Sequence, residues 1–140
     1  DATDSGNTKK DTIQGILDLA GGGAEFDTGL FTHDISVVGT QAVTGVGFQP
    51  THLIFFANVQ NTSMMSLGFD DGTTDNGVGS EHAGTEGRWT ADGSSIYLYH
   101  SSGNAARGTV SALGADGFTI TWSKNGSPTG SAMTAYMAFK

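Results

Sequence analysis

Between residue 24 and its end, the sequence contains several short segments that place apolar side chains at every second position, and no other feature constrains the fold as strongly. The clearest case is residues 118–123, which read Phe-Thr-Ile-Thr-Trp-Ser. Residues 96–99 and 133–140 repeat the alternation. A period of two is typical of a β-strand that buries one face. We therefore predict an all-β domain over residues 24–140.

Turn residues separate these apolar segments. Asp92-Gly93, Asp116-Gly117 and Asn125-Gly126 tolerate the positive φ angles that tight hairpins require. About eight short strands at regular spacing indicate an antiparallel β-sandwich, jelly-roll-like in its organisation. Besides the alternating segments, the predicted strands include 34–40, 42–48, 63–69, 86–90 and 107–113.

The apolar segment from Leu53 to Val59 has no polar face, except for Asn58 near its end. A strand of this kind is typical of a sheet interior that is covered on both sides. We therefore predict that it is a central strand without an exposed face. The predicted core comprises Leu53, Phe55, Ile96, Leu98, Phe118, Ile120 and Trp122.

Residues 1–23 follow a different pattern. A polar stretch over 1–9 precedes Ile13, Ile16, Leu17 and Ala20, which fall on one face of a helix. Gly21-Gly22-Gly23 ends that helix and acts as a hinge. About three turns are too few for a helix to be stable alone, so its apolar face needs a partner. We predict that 1–23 form a linker and a short amphipathic helix for assembly, with these four apolar residues as the assembly interface.

Charge and composition exclude several classes of partner. The formal charge is −8, from 14 acidic and 6 basic residues. Nucleic-acid binding needs clustered Lys and Arg, and only Lys9-Lys10 are adjacent. The same balance disfavours an anionic membrane surface, and the longest apolar run is too short to span a bilayer. We expect no nucleic-acid partner, no membrane partner and, because the chain has no cysteine, no disulfide.

Residues 70–85 are acidic and glycine-rich, with almost no apolar side chain. This composition predicts an exposed loop. Asp70, Asp71 and Asp75 are weak candidates for a hard cation such as Ca²⁺, but their spacing matches no standard binding loop. The four histidines show no metal-ligand spacing, and we expect two at strand edges and two, His33 and His82, in loops. The sequence therefore predicts no metal and no cofactor.

No catalytic motif is present. The sequence lacks a Gly-x-Ser-x-Gly elbow, and its acidic residues Asp92 and Asp116 are explained by turns. We predict no catalytic residue and no enzyme activity. The aromatic residues Trp89, Tyr97, Tyr99 and Tyr136 form a possible recognition surface. An outward aromatic ladder would cover a subunit interface or, as the alternative, stack against a sugar ring.

Residues 43–56 contain a Gly-Phe-Gln-Pro bend that leads into an apolar strand. Residues 116–122 form an alternating segment after an Asp-Gly turn, and residues 4–17 lead from a polar stretch into the predicted helix. These three segments resemble parts of tailed-bacteriophage virion structural proteins: the bend and strand, a hairpin near the C-terminus of such domains, and the connectors of phage fibres. The resemblance implies a non-catalytic virion surface component: a tail or head fibre, an appendage or a capsid decoration. It implies an extracellular location on the virion and a role in particle assembly and host-surface attachment.

The resemblance also implies partners. A phage fibre is usually a trimer, so we expect a homo-oligomer that also contacts other virion proteins, with a host cell-surface glycan as a further partner. Because the sequence begins at Asp1, we expect either a processed product or part of a longer protein. Two other functions fit the same pattern: a carbohydrate-binding module, or a subunit of an extracellular surface filament.

Overall fold

A computed structural model describes residues 25–82, 86–101 and 103–140. The predicted helix at 1–23 and its assembly residues Ile13, Ile16, Leu17 and Ala20 lie outside these residues. The described residues form ten strands: β1 Phe26–Asp34, β2 Gly39–Thr44, β3 His52–Val59, β4 Met65–Asp70, β5 Asp75–His82, β6 Glu86–Asp92, β7 Ile96–Ser101, β8 Asn104–Gly114, β9 Gly117–Asn125 and β10 Ser131–Phe139.

The strands form two antiparallel sheets. The larger sheet has six strands in the order β1-β10-β3-β4-β5-β6, and the smaller has four in the order β2-β9-β8-β7. Strands β3 to β6 are joined by successive hairpins, whereas β10 inserts between β1 and β3. The two sheets face each other across one hydrophobic core, and the predicted all-β sandwich is confirmed.

The core lies between the two sheets and has an aromatic centre. Phe118 of β9 meets Phe55 of β3 edge to face, with 5.5 Å between ring centroids. It meets Tyr136 of β10 in the same way at 5.2 Å. All seven predicted core residues are buried: Leu53, Phe55, Ile96, Leu98, Phe118, Ile120 and Trp122.

Strand β3 is central in its sheet, as predicted, but only one of its faces is covered. Leu53, Phe55, Ala57 and Val59 are buried, while Ile54 and Phe56 between them are 39% and 47% exposed. The prediction of a strand covered on both sides is therefore wrong. The smaller sheet packs on one face of the larger sheet, and no described element packs on the other.

The predicted loop at 70–85 is also wrong, because most of it is a hairpin. β4 and β5 pair from Met65↔Ser80 to Asp70↔Asp75, and the turn occupies only residues 71–74. β5 needs no apolar inward residues because backbone packs there instead. A Cβ on Gly77 would lie 2.7 Å from the Ser94 carbonyl oxygen, and one on Gly79 would lie 2.6 Å from that of Tyr97.

His33 lies in β1 and not in a loop, and His82 ends β5. The His33 ring stacks on Trp122, with 4.0 Å between centroids and 3° between planes. The Trp122 indole also donates a hydrogen bond to the Gln41 side-chain oxygen at 3.0 Å. These contacts complete the burial of the tryptophan at the edge of the sandwich.

Candidate assembly interface

The six-stranded sheet turns a broad apolar surface away from the core. Nine large apolar side chains from five of its strands lie in three adjacent rows on this side. Each is 39–69% exposed. We call this surface the outer face. It comprises Leu30, Ile54, Phe56, Met65, Leu67, Phe69, Val78, Met133 and Met137.

The strand register makes the outer face continuous. One row of paired residues runs Leu30↔Ala135↔Phe56↔Leu67↔Val78 across β1, β10, β3, β4 and β5. Four inter-strand spacings of about 4.8 Å make this row roughly 19 Å wide. The rows above and below it contain the other apolar residues, so the outer face is a single patch.

In β4, the large apolar side chains lie on the outer face and the small or polar ones face the core. Its inward residues are Ser66, Gly68 and Asp70, and its outward residues are Met65, Leu67 and Phe69. The small inward residues are required because β7 approaches the sheet backbone closely. The amide of Tyr97 donates a hydrogen bond to the Ser66 hydroxyl oxygen at 2.9 Å. The larger apolar side chains therefore point outward.

No charged residue occupies the three central rows of the outer face between β1 and β5. Their remaining members are neutral: Thr28, Thr32, Asn58, Asn76, Ser80 and Ala135. The formal charge of −8 is therefore carried elsewhere. Nine side chains about half exposed present on the order of 700 Å² of apolar surface, above the roughly 300–600 Å² of a typical monomer's largest patch.

Aspartates Asp70 and Asp71 support the β4–β5 turn. Asp70 is 3% exposed and accepts a hydrogen bond from the Gly72 amide at 2.9 Å. Burial raises the pKa of its carboxyl group, with smaller contributions from nearby aspartates. Asp71 accepts hydrogen bonds from the amides of Thr73 and Thr74 at 3.0 and 2.8 Å. The pKa of the Asp71 carboxyl group is lowered, mainly by its hydrogen bonds with the side chain and the backbone amide of Thr73.

Asp75 links the two sheets. Its carboxylate accepts a hydrogen bond from the Val110 amide at 2.8 Å and another from the Ser95 hydroxyl. The three candidate cation ligands are thus all held by the chain's own donors. Among the described residues, no three His, Asp or Glu side chains are grouped as metal ligands.

The proposed aromatic surface is not formed as predicted. Tyr97 and Tyr136 are only 8% and 7% exposed, so the expectation that they face outward is wrong. Tyr97 is covered by the Arg107 guanidinium, 5.2 Å from its ring centroid. Tyr99 is partly buried beside Tyr97. The side chain of Trp89 lies outside the described part of the structure.

Tyr136 belongs to the core. Its hydroxyl donates a hydrogen bond to Asp27 at 2.9 Å. Burial, followed by this hydrogen bond and the charge of Asp27, raises the pKa of Tyr136 to about 12. Gly29 gives the ring its space, because a Cβ there would lie 2.6 Å from the Tyr136 hydroxyl.

A shallow depression of about 500 Å³ lies at the end of the sandwich near the C-terminus. Its polar side chains already have partners. Gln49 donates to the Leu113 carbonyl at 2.7 Å, and Lys140 pairs with Glu25 at 2.9 Å. The Thr51 hydroxyl lies 3.0 Å from His52 Nδ1 and 3.3 Å from the Phe139 carbonyl oxygen. The outer face is the stronger candidate for a functional surface.

Sequence reasoning did not identify the outer face. The alternation in residues 65–70 was the available signal, because it shows that one side of this strand is apolar. It does not show which side faces the core. The close approach of the Ser95 backbone, just before β7, to Gly68 decides that direction.

No family model and no curated protein matches the chain. Among solved structures, one that is similar is the tailspike protein gp49 of Acinetobacter baumannii bacteriophage Fri1, a capsular polysaccharide depolymerase. The two share 10% identity with a TM-score of 0.36, over 84% of this chain and 18% of the tailspike. A TM-score of this size does not establish a common fold, and the depolymerase activity is a property of the tailspike.

The structure has no helix, among its described residues, that is long and apolar enough to cross a membrane.

Proposed function

We propose that this chain is a non-catalytic structural protein of a virion surface. It assembles with copies of itself and with other virion proteins as part of a fibre, an appendage or a capsid decoration. In that position it takes part in host-surface attachment, with a cell-surface glycan as one possible class of receptor. The outer face is the observation that carries this proposal.

The physical support is the cost of leaving the outer face in water. Burying apolar surface contributes about 25 cal/mol per Å², so roughly 700 Å² corresponds to well over 10 kcal/mol before the costs of association. Exposed patches of this size mark protein or membrane contacts. A chain with a formal charge of −8 is poorly suited to an anionic membrane, which favours a protein contact.

The virion assignment is supported by the sequence resemblance. Residues 43–56 and 116–122, which resemble phage structural proteins, belong to neighbouring parts of the sandwich. Val43 of β2 pairs with Phe118 of β9. The absence of cysteine suits a particle that must function without regard to redox state.

The carbohydrate-binding alternative has less support. It needs exposed aromatic rings on one surface, and Tyr97 and Tyr136 are buried. The surface-filament alternative makes the same use of the outer face, so it must be separated by where the protein is found.

Two measurements test the proposal. Analytical ultracentrifugation of the full chain should give one defined oligomer of two or more copies. Antibodies against the chain should label the outside of intact virions in electron micrographs. A chain that stays monomeric at micromolar concentration, or virions that remain unlabelled, would contradict it.

A further inference from the structure

We infer that the outer face is covered by the outer face of another copy of this chain. The inference rests on the proposed function, because it specifies the surface through which copies assemble. The chemistry of the two sheet surfaces, the placement of charge and the size of the patch support it.

First, the surface that covers the outer face must itself be broad and apolar. In the described part of the chain, exposed large apolar residues outside the outer face are few: Val37 and Val38 between β1 and β2, and Phe26, which lies on the same side of the sheet one row beyond the outer face. The outward side of the smaller sheet carries hydroxyl groups, including the row Thr40↔Thr121↔Thr109. Another copy therefore offers one broad surface of matching chemistry, which is its own outer face.

The second step is charge. Two copies of a chain with a formal charge of −8 repel each other wherever their acidic groups approach. The three central rows of the outer face carry no charged residue. Contact through this surface keeps the acidic residues at its rim, where water and salt screen them.

The third step is size and adaptability. About 700 Å² per copy is close to the roughly 800 Å² per partner of a standard stable interface. Three of the four methionines in the sequence lie on the outer face: Met65, Met133 and Met137. Methionine is enriched at protein interfaces and adapts to irregular gaps, so it suits contact between two twisted sheets.

The segment before β1 is the other available occupant. Its predicted helix offers four apolar side chains, Ile13, Ile16, Leu17 and Ala20. A helix of ten residues is about 15 Å long and presents one narrow stripe. That stripe is smaller than a patch of nine large side chains across five strands, so we commit to another copy as the occupant.

The test uses the absence of cysteine from the chain, which makes any introduced cysteine unique. Phe56 lies in the central row and on the middle strand of the outer face, so Phe56→Cys is the probe. Thr121→Cys, on the outward side of the smaller sheet, is the matched control. A bismaleimide that spans about 10 Å, the spacing of stacked sheets, is added to each full-length variant.

We expect Phe56→Cys to give a covalent dimer in high yield and Thr121→Cys to give little. In a second pair of variants, Leu67→Glu should weaken self-association at least tenfold, while Thr121→Glu should leave it unchanged. Circular dichroism checks that both remain folded. Leu67 is half exposed, so its replacement removes no core contact.

Other outcomes would overturn either this inference alone or the proposed function as well. An oligomer that persists in Leu67→Glu, without cross-linking through position 56, overturns this inference and leaves the proposed function standing. A monomeric wild-type chain overturns both. In the double variant Leu17→Cys, Phe56→Cys, a cross-link within a single chain would assign the outer face to the N-terminal segment and overturn the inference.

Discussion

The carboxylate of Asp116 accepts a hydrogen bond from the backbone amide of Gly47 at 2.7 Å, across 69 residues of sequence. Its second oxygen accepts one from the Gly45 amide at 3.1 Å. Both glycines have positive φ, at 84° and 90°. The β8–β9 turn thereby holds the bend that leads from β2 towards β3.

Replacing Asp116 with Ala should therefore destabilise the fold by about 1–3 kcal/mol, because two backbone amides lose a charged acceptor. Asp116→Asn should cost less, since its amide retains one acceptor oxygen. Urea denaturation followed by tryptophan fluorescence measures both. Equal stability of wild type and Asp116→Ala would show that water replaces the carboxylate without loss.

The glycines beneath β7 should not tolerate a side chain. A Cβ on Gly68 would overlap the Ser95 carbonyl, whereas one on Gly114 would have its nearest neighbour at an ordinary 3.7 Å. We expect Gly68→Ala to cost about 3 kcal/mol or more, as overpacking against backbone does. Gly114→Ala is the matched control and should change the free energy of unfolding by less than about 1 kcal/mol.

Thr134 should be replaceable with a gain in stability. It is fully buried, and its hydroxyl has no hydrogen-bond partner among the described residues. Valine has nearly the same shape without the hydroxyl, so Thr134→Val should stabilise the fold by about 1 kcal/mol. Thermal unfolding measures the difference. A lower melting temperature would indicate that the hydroxyl has an unseen partner.

Asp70 should make the fold less stable at neutral pH than at mildly acidic pH. Because burial raises the pKa of this carboxyl above 3.8, the folded state binds its proton more tightly than the unfolded state. The contribution of Asp70 to the free energy of unfolding therefore increases as the pH falls through the raised pKa, and it levels off below pH 3.8. Asp70→Asn keeps the acceptor for the Gly72 amide and should raise the melting temperature at pH 7.

The difference between wild type and Asp70→Asn should shrink as the pH is lowered towards 4. This comparison isolates Asp70 from the other carboxylates, since they are common to both proteins. A constant difference from pH 7 to pH 4 would contradict the assignment.

Tyr136 should control stability at alkaline pH. In the unfolded chain its phenol ionises near pH 10, but in the fold its pKa is about 12. The wild type should therefore lose stability as pH rises from 10 to 12, by roughly 1.4 kcal/mol for each unit between the two pKa values. Tyr136→Phe lacks this loss, although it should be about 1–2 kcal/mol less stable at pH 8 without the hydrogen bond to Asp27.

Urea denaturation of both proteins at pH 8 and pH 11 gives the comparison. The gap between them should narrow at the higher pH. If the difference in free energy of unfolding between wild type and Tyr136→Phe is the same at both pH values, the phenol ionises equally in the folded and unfolded states.

Local sequence pattern predicted some elements and could not predict others. Residues 118–122 alternate cleanly, so their buried face was predictable, as was the turn at Asp116. Strand β5 was missed because, at Gly77 and Gly79, backbone contact from residues 94–97 replaces side-chain packing. The outer face, with Phe56 and Leu67 in its central row, was missed because apolar periodicity does not say which side of a strand faces the core. Both depend on strands that are distant in sequence.

The glycines beneath β7 also set the shape of the sandwich. One inward row of the larger sheet runs Tyr136↔Phe55↔Gly68↔Gly77, from two large aromatic rings to two residues without side chains. The gap between the sheets therefore narrows along this row, and the cross-section is a wedge. In two copies joined through their outer faces, the smaller sheets would then lie on opposite sides of the pair and would be inclined to each other instead of parallel.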